Sequence, residues 1–486
     1  MNLKNKLLLL ICLLVVPPSV FSEPTDKAQA VSRQLSIDNE PWFGDFDQML
    51  DRTLIRVLVP YSRTFYFHDK GHARGLTADL VRDFERHINK KYAKQLHKRP
   101  VTVVIVPTTR ERLLDDLVNG LGDIAAGNLT ETPERLEQVD FFAPDNRQVS
   151  ELILTGPSAL PIQSIDELSG ATVHVRKSSS YFQSLTALNK RFHERGKTAI
   201  QIVTVPDAIE DEDLMEMLNA GVINIMIADD WKAKIWAKVL PKITVTNLAI
   251  REAGHSGWAM RQQSPELKAE VMDFYINNIQ KLHVLQSRLV AFNKQIKQIA
   301  DNTADKDWQR FEQLQLLFEK YGDKYGFDPL MLAAQGYQES TLKQEKRGPS
   351  GAIGVMQVLP STASSLKVGD IKQLEPNIHA GSKYLDELMS RYFSDANFQG
   401  DDRTLFSFAS YNAGPGTINR MRKEAVNRGL DPDRWFNQVE LVVADKVGWE
   451  TTTYVRNIYK YYVAYKLQLE VAEHQRQARA SVAMGN

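Results

Sequence analysis

The sequence is nearly free of cysteine, since Cys12 is the single one among 486 residues. Cys12 lies in the apolar stretch near the start of the chain. Ile11 stands directly before it, where a lipid-anchored precursor would have a small residue, so a lipid anchor is not expected. If this stretch is removed, the mature chain holds no thiol. That excludes disulfides, cysteine-bound metals and cysteine nucleophiles.

Neither sign of charge is in excess, because 60 lysine and arginine residues balance 60 aspartate and glutamate residues. This balance gives no reason to expect a nucleic-acid partner. The sequence also lacks a phosphate-binding loop and the Gly-x-Ser-x-Gly elbow of serine hydrolases. His68 and His72 have the i, i+4 spacing of a metal pair, but Gly71 predicts a turn between them, so neither a metal site nor a cofactor is expected.

Long apolar runs are scarce as well. The stretch Leu7–Val16 has ten residues, whereas a helix needs about 20 to span a bilayer. Because Lys4 and Lys6 precede it, the pattern predicts a secretory signal peptide over residues 1–22. The alternative is an uncleaved membrane anchor, since the two kinds of segment overlap in composition.

The composition that remains is globular, with 43% hydrophobic and 25% charged residues, and the length allows two or three domains. Residues 23–50 are polar and predict an irregular linker. Beyond them, strand-like runs alternate with helical patterns, which predicts a mostly parallel α/β sheet in two lobes over residues 51–270, with a ligand cleft between the lobes. The predicted strands cover 54–59, 101–106, 123–126, 172–175, 200–205 and 222–227.

Three short stretches of this first domain resemble the family-3 solute-binding proteins, a family of periplasmic amino-acid-binding proteins. They are Asn128–Arg135, Val139–Phe141 and the segment Gly257–Arg261 with the residues that follow it. The resemblance covers about residues 50–275. It implies the α/β two-lobe periplasmic-binding fold.

The resemblance also implies ligand-binding roles in the cleft. Arg135 would pair with a ligand α-carboxylate, for which a planar guanidinium is suited. Thr130 would donate a hydrogen bond, Ser179 and Ser180 would offer backbone N–H groups at a helix start, and Asp229 would hold the ligand amine. Structural roles stay open beside these: a helix cap or a surface ion pair for Arg135, and a helix N-cap for Asp229. The domain could have kept the fold and lost its ligand.

The second domain is predicted over residues 271–486, mainly α-helical, with a core at about 310–465. Asp328 and Pro329 predict a helix start, and Glu339 follows near the end of that helix. The helix is apolar on several sides, which indicates burial. Desolvation would raise the pKa of Glu339 and suit it to general acid catalysis near neutral pH. The alternative is a partly exposed glutamate at a helix end.

Three further motifs follow this glutamate in order: Gly354–Gln357, Ser410–Gly414 and Glu450–Val455. They supply amides that donate and accept hydrogen bonds, apolar packing for a sugar face, and aromatic hydroxyl groups. Together with the serine after Glu339, they predict a sugar-binding site. Its candidate residues are Met356, Gln357, Tyr411, Asn412 and Tyr454, although each motif alone could be structural.

The four motifs at this spacing resemble the Slt-type lytic transglycosylases, which have a lysozyme-like fold. The chain departs from that family's pattern at Val355, Ser410 and Thr452; the first two conserve shape and the third concerns a peripheral sugar contact. The resemblance implies cleavage of the β-1,4 bond between N-acetylmuramic acid and N-acetylglucosamine of peptidoglycan. It implies that the C6 hydroxyl of the muramic acid attacks C1, that a 1,6-anhydro end forms, and that Glu339 is the single acid and base. It also implies that Ser340 lines the sugar subsites, with Gln357, Asn412, Tyr411 and Tyr454.

The pairing of the two domains resembles a membrane-bound group of these enzymes. It implies a periplasmic protein that contacts the outer membrane peripherally, acts in cell-wall turnover, and has a small ligand or peptide as a further partner. A lysozyme-type hydrolase, with Asp370 or Glu375 as second carboxylate, stays open. So does a non-catalytic periplasmic binding or sensing protein for an amino acid, peptide or glycan.

Overall fold

The computed structural model describes residues 40–97, 99–142, 148–280 and 306–484, so the predicted signal peptide lies outside the described residues. The first element is helix α1 (Phe46–Arg52), which begins where Asp45 Oδ1 accepts a hydrogen bond from Phe46 N. Phe46, Met49 and Leu50 are buried in the first domain's core. The prediction of an irregular linker up to residue 50 is therefore wrong for this helix, because its apolar side is packed.

The first lobe continues in chain order through short strands and helices. These are β1 (Leu54–Pro60), β2 (Phe67–Asp69), β3 (His72–Arg74), α2 (Leu76–Lys91), β4 (Thr102–Thr108), α3 (Leu113–Val118), β5 (Ile124–Thr130), α4 (Pro133–Leu136) and β6 (Val139–Phe142). The second lobe contains β7 (Gln148–Thr155), a 3₁₀ turn (Ile165–Leu168), β8 (Thr172–Arg176), α5 (Ser180–Glu194), β9 (Gln201–Val205), α6 (Asp211–Asn219), β10 (Ile225–Asp229) and α7 (Asp230–Trp236). Strand β11 (Thr244–Arg261) belongs to both lobes.

The main sheet has nine strands, in the order β4-β1-β5-β11-β7-β10-β8-β9, with β6 beside β11. Its outer pairs are parallel, namely β1 with β4 and β5, and β8 with β9 and β10. The pairs of β11 with β5, β6 and β7, and of β7 with β10, are antiparallel. The predicted mostly parallel sheet is thus wrong at its centre, where the long strand β11 runs from one lobe into the other.

Helix α8 (Pro265–Phe274) and a π-helical turn (Tyr275–Gln280) follow β11. Val271, Phe274 and Ile279 are buried in the core of the first lobe, beside Phe84 of α2. The predicted domain boundary near residue 270 would cut through this packed helix. The first domain therefore extends to at least residue 280.

The second domain is helical, as predicted. Its elements are α9 (Lys306–Tyr325), α10 (Pro329–Ser340), α11 (Pro360–Leu366), α12 (Leu374–Tyr392), α13 (Asp402–Ala413), α14 (Pro415–Asn427), a π-helical turn (Trp435–Val439), α15 (Glu440–Lys446) and α16 (Trp449–Met484). Helix α10 lies in the middle of its apolar core, with Met331, Leu332, Ala333 and Ala334 at most 1% exposed. Among the described residues, no helix is both long enough and apolar enough to cross a bilayer.

The two domains meet in a buried polar network. Lys460 on α16 forms an ion pair with Glu216 on α6 of the second lobe. Arg63 Nη2 lies 2.9 Å from both Glu216 Oε1 and Asp213 Oδ1. Burial would raise the pKa of Glu216, but Arg63 and Lys460 outweigh it and lower this pKa to about 2. These groups hold α16, which carries part of the site described below, against the first domain.

We expect Lys460→Met to lower the free energy of unfolding by about 3 kcal/mol, because it removes one counter-ion of the buried Glu216 carboxylate. The measurement is the urea midpoint of the full chain near neutral pH. Lys466→Met, at an exposed position of the same helix, is the matched control and should leave the midpoint unchanged. Equal midpoints for both variants would show that the network does not stabilise the fold.

Candidate active site

Glu339 lies in the last turn of α10. Asp328 Oδ1 caps the helix start by accepting from Leu330 N at 2.7 Å, and Thr341, with φ +52°, ends the helix. The Glu339 side chain is partly buried, and its Oε1 accepts a hydrogen bond from the Tyr454 hydroxyl at 2.5 Å. Tyr454 is 8% exposed and stands on α16. The first and fourth motifs of the sequence therefore meet at one carboxyl group.

The environment of Glu339 favours its protonated form. Burial raises the pKa of Glu339 to about 7, and the Tyr454 hydroxyl opposes this by stabilising the carboxylate. Burial also raises the pKa of both Tyr411 and Tyr454 well above the usual value, and the charge of Glu339 adds to the effect. Both tyrosines are thus neutral hydroxyl groups beside the carboxyl group. A carboxylic acid that titrates near pH 7 can act as an acid and then as a base.

The Gly354–Gln357 segment is held by Asn377, a fully buried amide on α12. Asn377 Oδ1 accepts from Met356 N at 2.9 Å, and its Nδ2 donates to Ile353 O at 2.8 Å. Gly354 has φ +80°, and a Cβ at this position would lie 2.5 Å from Asn377 Nδ2, so the position requires glycine. The Tyr411 hydroxyl also holds this segment, because it donates a hydrogen bond to Met356 O at 2.6 Å.

The side chains of two predicted sugar contacts, Met356 and Ser340, are buried and pack inside the domain. Met356 is 0% exposed, and a Cβ on Gly381 of α12 would lie 2.7 Å from its Cβ, so its side chain fills the space beside that glycine. Ser340 is 5% exposed, and its hydroxyl donates to Val355 O at 2.8 Å. Ser340 therefore joins the end of α10 to the second motif and does not face an open surface.

Gln357 and Asn412 reach the surface, and they follow Met356 and Tyr411 directly in the chain. Gln357 is partly exposed, has φ +47°, and donates from Nε2 to Gly354 O at 2.9 Å. Asn412 is exposed, and its Oδ1 accepts from Thr451 Oγ1 at 2.8 Å. Asn377 and Thr451 were not among the predicted site residues. The sequence signal that could have found Asn377 is a polar amide within the apolar pattern of α12.

The two candidate second carboxylates lie in other environments. Glu375 is exposed and bonded to Lys320 Nζ at 2.6 Å, and this bond lowers its pKa. Asp370 is exposed and accepts from Lys372 N at 3.0 Å. Neither carboxylate shares a hydrogen-bond partner with Glu339 among the described residues. Burial, opposed by the Tyr454 hydrogen bond, sets the pKa of Glu339.

A cleft of about 510 Å³ lies in the first domain and is lined by four of the five predicted ligand residues, Thr130, Arg135, Ser179 and Ser180. Arg135 donates to Thr130 O at 2.7 Å and to Ser178 O at 3.2 Å. The Ser179 hydroxyl donates to Arg176 O at 2.7 Å and, as the N-cap of α5, accepts from Phe182 N. The structure thus brings these residues together as expected.

Asp229, the fifth predicted ligand residue, does not line this cleft. It is 1% exposed, and its Oδ2 accepts from Asn128 Nδ2 at 2.9 Å. It precedes helix α7, but its side chain makes no capping bond there. Lys232 Nζ lies 3.8 Å from the same oxygen. A ligand amine held by Asp229, as expected from the resemblance, would therefore have to compete with the chain's own ammonium group.

His68 and His72 lie on the two strands of the β2–β3 hairpin, in accord with the predicted turn. One group of potential metal ligands occurs among the described residues, His87, Glu270 and Asp273. Lys91 Nζ lies 2.8 Å from both Glu270 Oε2 and Asp273 Oδ2. An ammonium group already compensates these carboxylates, so the arrangement does not call for a metal ion.

Comparison with known families agrees with both domains. Residues 316–432 match the family model "Transglycosylase SLT domain", and residues 55–286 match "Bacterial extracellular solute-binding proteins, family 3". A protein of Desulfosudis oleivorans is 28% identical over 427 residues, which cover 85% of this chain and 89% of that protein. A protein of Pseudomonas fluorescens is 26% identical over 435 residues, 84% of each chain. An amino acid ABC transporter substrate-binding protein from Streptococcus pneumoniae, solved bound to L-arginine, is 19% identical, covers 52% of this chain and all of its own, and has a TM-score of 0.42.

The match to the SLT domain model indicates a peptidoglycan lytic transglycosylase, in which a helical domain is joined to an α/β domain that matches the family-3 solute-binding proteins. Both relatives named above carry the name membrane-bound lytic murein transglycosylase F, and this chain is similar to them over most of its length. The recognition made from the four motifs and the two-domain pairing is thereby confirmed.

Proposed function

We propose that the enzyme cleaves the β-1,4 bond between N-acetylmuramic acid and N-acetylglucosamine, leaves 1,6-anhydromuramic acid ends, and uses Glu339 as its single acid and base. The observation that carries the proposal is that Glu339, within the described part of the chain, has no second carboxylate among its hydrogen-bond partners. Burial raises its pKa to about 7, and its hydrogen-bond partner is a neutral tyrosine. Glycosidases that activate water or form a glycosyl-enzyme need a second carboxylate close by.

Glu339 then takes part in both steps of the reaction, first as a protonated acid and then as a carboxylate. Protonated Glu339 donates its proton to the glycosidic oxygen as the bond from C1 to that oxygen breaks. The resulting carboxylate accepts the proton of the muramic acid's C6 hydroxyl as this oxygen bonds to C1. No water is consumed. The Tyr454 hydroxyl donates to the carboxylate between the two steps and holds its orientation.

The polar side chains that reach the surface near this carboxyl group bind the sugar. We assign Gln357 and Asn412 to contacts with sugar amides or hydroxyls. Both side-chain amides are accessible, and each is oriented by a hydrogen bond within the protein. Tyr411 and Tyr454 border Glu339 and line the reacting position. Ser340 and Met356 act by holding the backbone of the Gly354–Gln357 segment in place.

We expect the rate to fall as pH rises through about 7, because the first step needs protonated Glu339. Tyr454→Phe removes a donor that stabilises the carboxylate, so it should raise the pKa of Glu339 and move this limb to higher pH while lowering the maximal rate. The measurement is the pH profile of glycan-strand cleavage. Tyr461→Phe, on the same helix, serves as control. A limb that stays in place or moves to lower pH in Tyr454→Phe would contradict the assignment.

The products of purified sacculi test the proposal. Soluble products analysed by mass spectrometry should be lighter by one water than the hydrolytic muropeptides. Hydrated products with reducing ends would instead mean that a water is activated, and would require a second carboxylate. Binding without any soluble product would favour a non-catalytic glycan-binding protein.

We further propose that residues 1–22 direct export and that the enzyme works in the periplasm, in turnover of the wall. The relatives' name, which calls them membrane-bound, supports contact with a membrane, and we propose that this is a peripheral contact with the outer membrane. Fractionation of cells that express the full chain tests this: the enzyme should co-sediment with outer membranes and be released by high salt or alkaline buffer. Recovery in the cytoplasm would contradict it.

A further inference from the structure

The cleft of the first domain contains an ammonium group that belongs to the protein itself. Lys232 is 6% exposed, and its Nζ lies 2.5 Å from Asp211 Oδ2 and 3.8 Å from Asp229 Oδ2. Both carboxylates are buried. Burial would raise the pKa of Asp211, but Arg176 and Lys232 outweigh it and hold that pKa well below its usual value. The Lys232 ammonium is therefore a counter-ion shared by two acids.

Three aromatic rings surround the same ammonium group. The ring centroids of Phe65, Tyr181 and Trp231 lie 5.7, 6.0 and 5.9 Å from Lys232 Nζ. Carboxylates combined with aromatic faces form the kind of site with which proteins bind cationic ligands. Here the chain's own side chain occupies it. A ligand ammonium that entered this place would meet a like charge or would have to displace a buried lysine.

At another point of the cleft, an arginine has no carboxylate beside it in the described part of the chain. Arg110 and Arg176, which line it, are both paired with Glu210 at 2.9 Å. Arg135 also lines it but donates to backbone carbonyls, and no carboxylate of the described residues lies within ion-pair distance of it. Burial, with the neighbouring cation Arg251, lowers the pKa of Arg135 to about 10. Arg135 is thus a partly buried cation with no carboxylate of the described residues at ion-pair distance, and Glu151 acts on it only over a longer distance.

The start of helix α5 adds to the positive potential at this place. Ser179, Ser180 and Tyr181 line the cleft, and α5 is 15 residues long. Its first backbone N–H groups form the positive end of the helix dipole. A volume of about 510 Å³ is large enough for a small molecule. The cleft thus offers an anion site and a cation site, of which the cation site is filled.

We propose that this cleft binds a small organic carboxylate that has no α-ammonium group. Arg135 and the start of α5 hold the carboxylate, and Lys232 lies beside Asp229, the carboxylate that was expected to hold a ligand amine. The cleft accordingly discriminates against free amino acids.

Calorimetric titration of the mature chain with matched pairs tests this inference. L-glutamate is compared with glutarate, and L-leucine with 4-methylpentanoate, so that the members of each pair differ only in the α-ammonium. We expect the carboxylate without the amine to bind at least about tenfold more tightly, owing to charge repulsion at low dielectric. Arg135→Ala should abolish the binding of both carboxylates.

Lys232→Met should reverse the preference toward the amino acid, since it leaves Asp211 and Asp229 for the ligand ammonium. Lys234→Met, an exposed lysine on the same helix, is the matched control and should keep the preference of the unaltered chain. The inference is overturned if the unaltered chain binds the amino acids as tightly as their partners, or binds none of the four probes. These two outcomes decide the matter even if Lys232→Met does not fold.

Discussion

Glu339→Gln should lower the rate of glycan cleavage by about 10⁴-fold, the upper end of what general acid–base catalysis contributes. The amide keeps the size of the carboxyl group and its place beside Tyr454, but it can neither donate the proton to the glycosidic oxygen nor accept the one from the C6 hydroxyl. The measurement is the initial rate of soluble product release from sacculi. Glu345→Gln, an exposed glutamate nearby, should retain the full rate.

The same substitution should stabilise the fold at alkaline pH. The folded-state pKa of Glu339 is raised from 4.5 to about 7, so the unaltered enzyme loses stability as pH rises through this window, because a buried carboxyl must ionise. The neutral amide removes that loss. Thermal unfolding at pH 8 should therefore show a higher midpoint for Glu339→Gln than for the unaltered enzyme. A lower midpoint, or a rate above one tenth of the original, would contradict the role given to Glu339.

Asn377→Leu should cost about 3 kcal/mol of folding free energy and most of the activity. It would leave the Met356 N–H and the carbonyl groups of Ile353 and Ile371 buried without their present partner. Since these bonds fix the Gly354–Gln357 segment, the loss should also raise the KM for glycan strands. The measurements are the urea midpoint and the steady-state kinetics at a temperature where the variant is folded.

The control for this prediction is Asn397→Leu, an exposed asparagine in a loop of the same domain, which should change neither quantity. A normal KM and rate in folded Asn377→Leu would show that the segment does not need this amide. A normal stability would show that the buried groups find other partners. Either result would remove Asn377 from the supports of the site.

Much of the second domain could be predicted, because local signals and packing agree there. The Asp328-Pro329 start of α10 is observed as predicted, and Glu339 is in the partly apolar environment that the helix pattern indicated. The contact of Glu339 with Tyr454 joins residues 115 positions apart. The order of the motifs suggested that they share a site but not which groups would touch.

The burial of individual side chains could not be predicted from the motifs. Met356 and Ser340 belong to the family motifs, yet a motif does not show whether a side chain faces a cleft or a core. Strand β11 was missed as a link between lobes because much of it is partly exposed and only part of it is apolar. Asp229 was expected to hold a ligand amine, but the ammonium group of Lys232 lies beside it. Lys232 also pairs with Asp211, which lies on a different element. Such couplings depend on the three-dimensional arrangement and leave no periodic pattern.

The central claim is that the substrate's own C6 hydroxyl, with Glu339 as the only acid and base, takes the place of water. Digestion of sacculi in water labelled with heavy oxygen tests it directly, with mass spectrometry of the newly formed glycan ends. Internal attack predicts ends that carry no label and lack one water. Labelled reducing ends in the first products would show that water attacks C1, and would contradict the single-carboxylate mechanism.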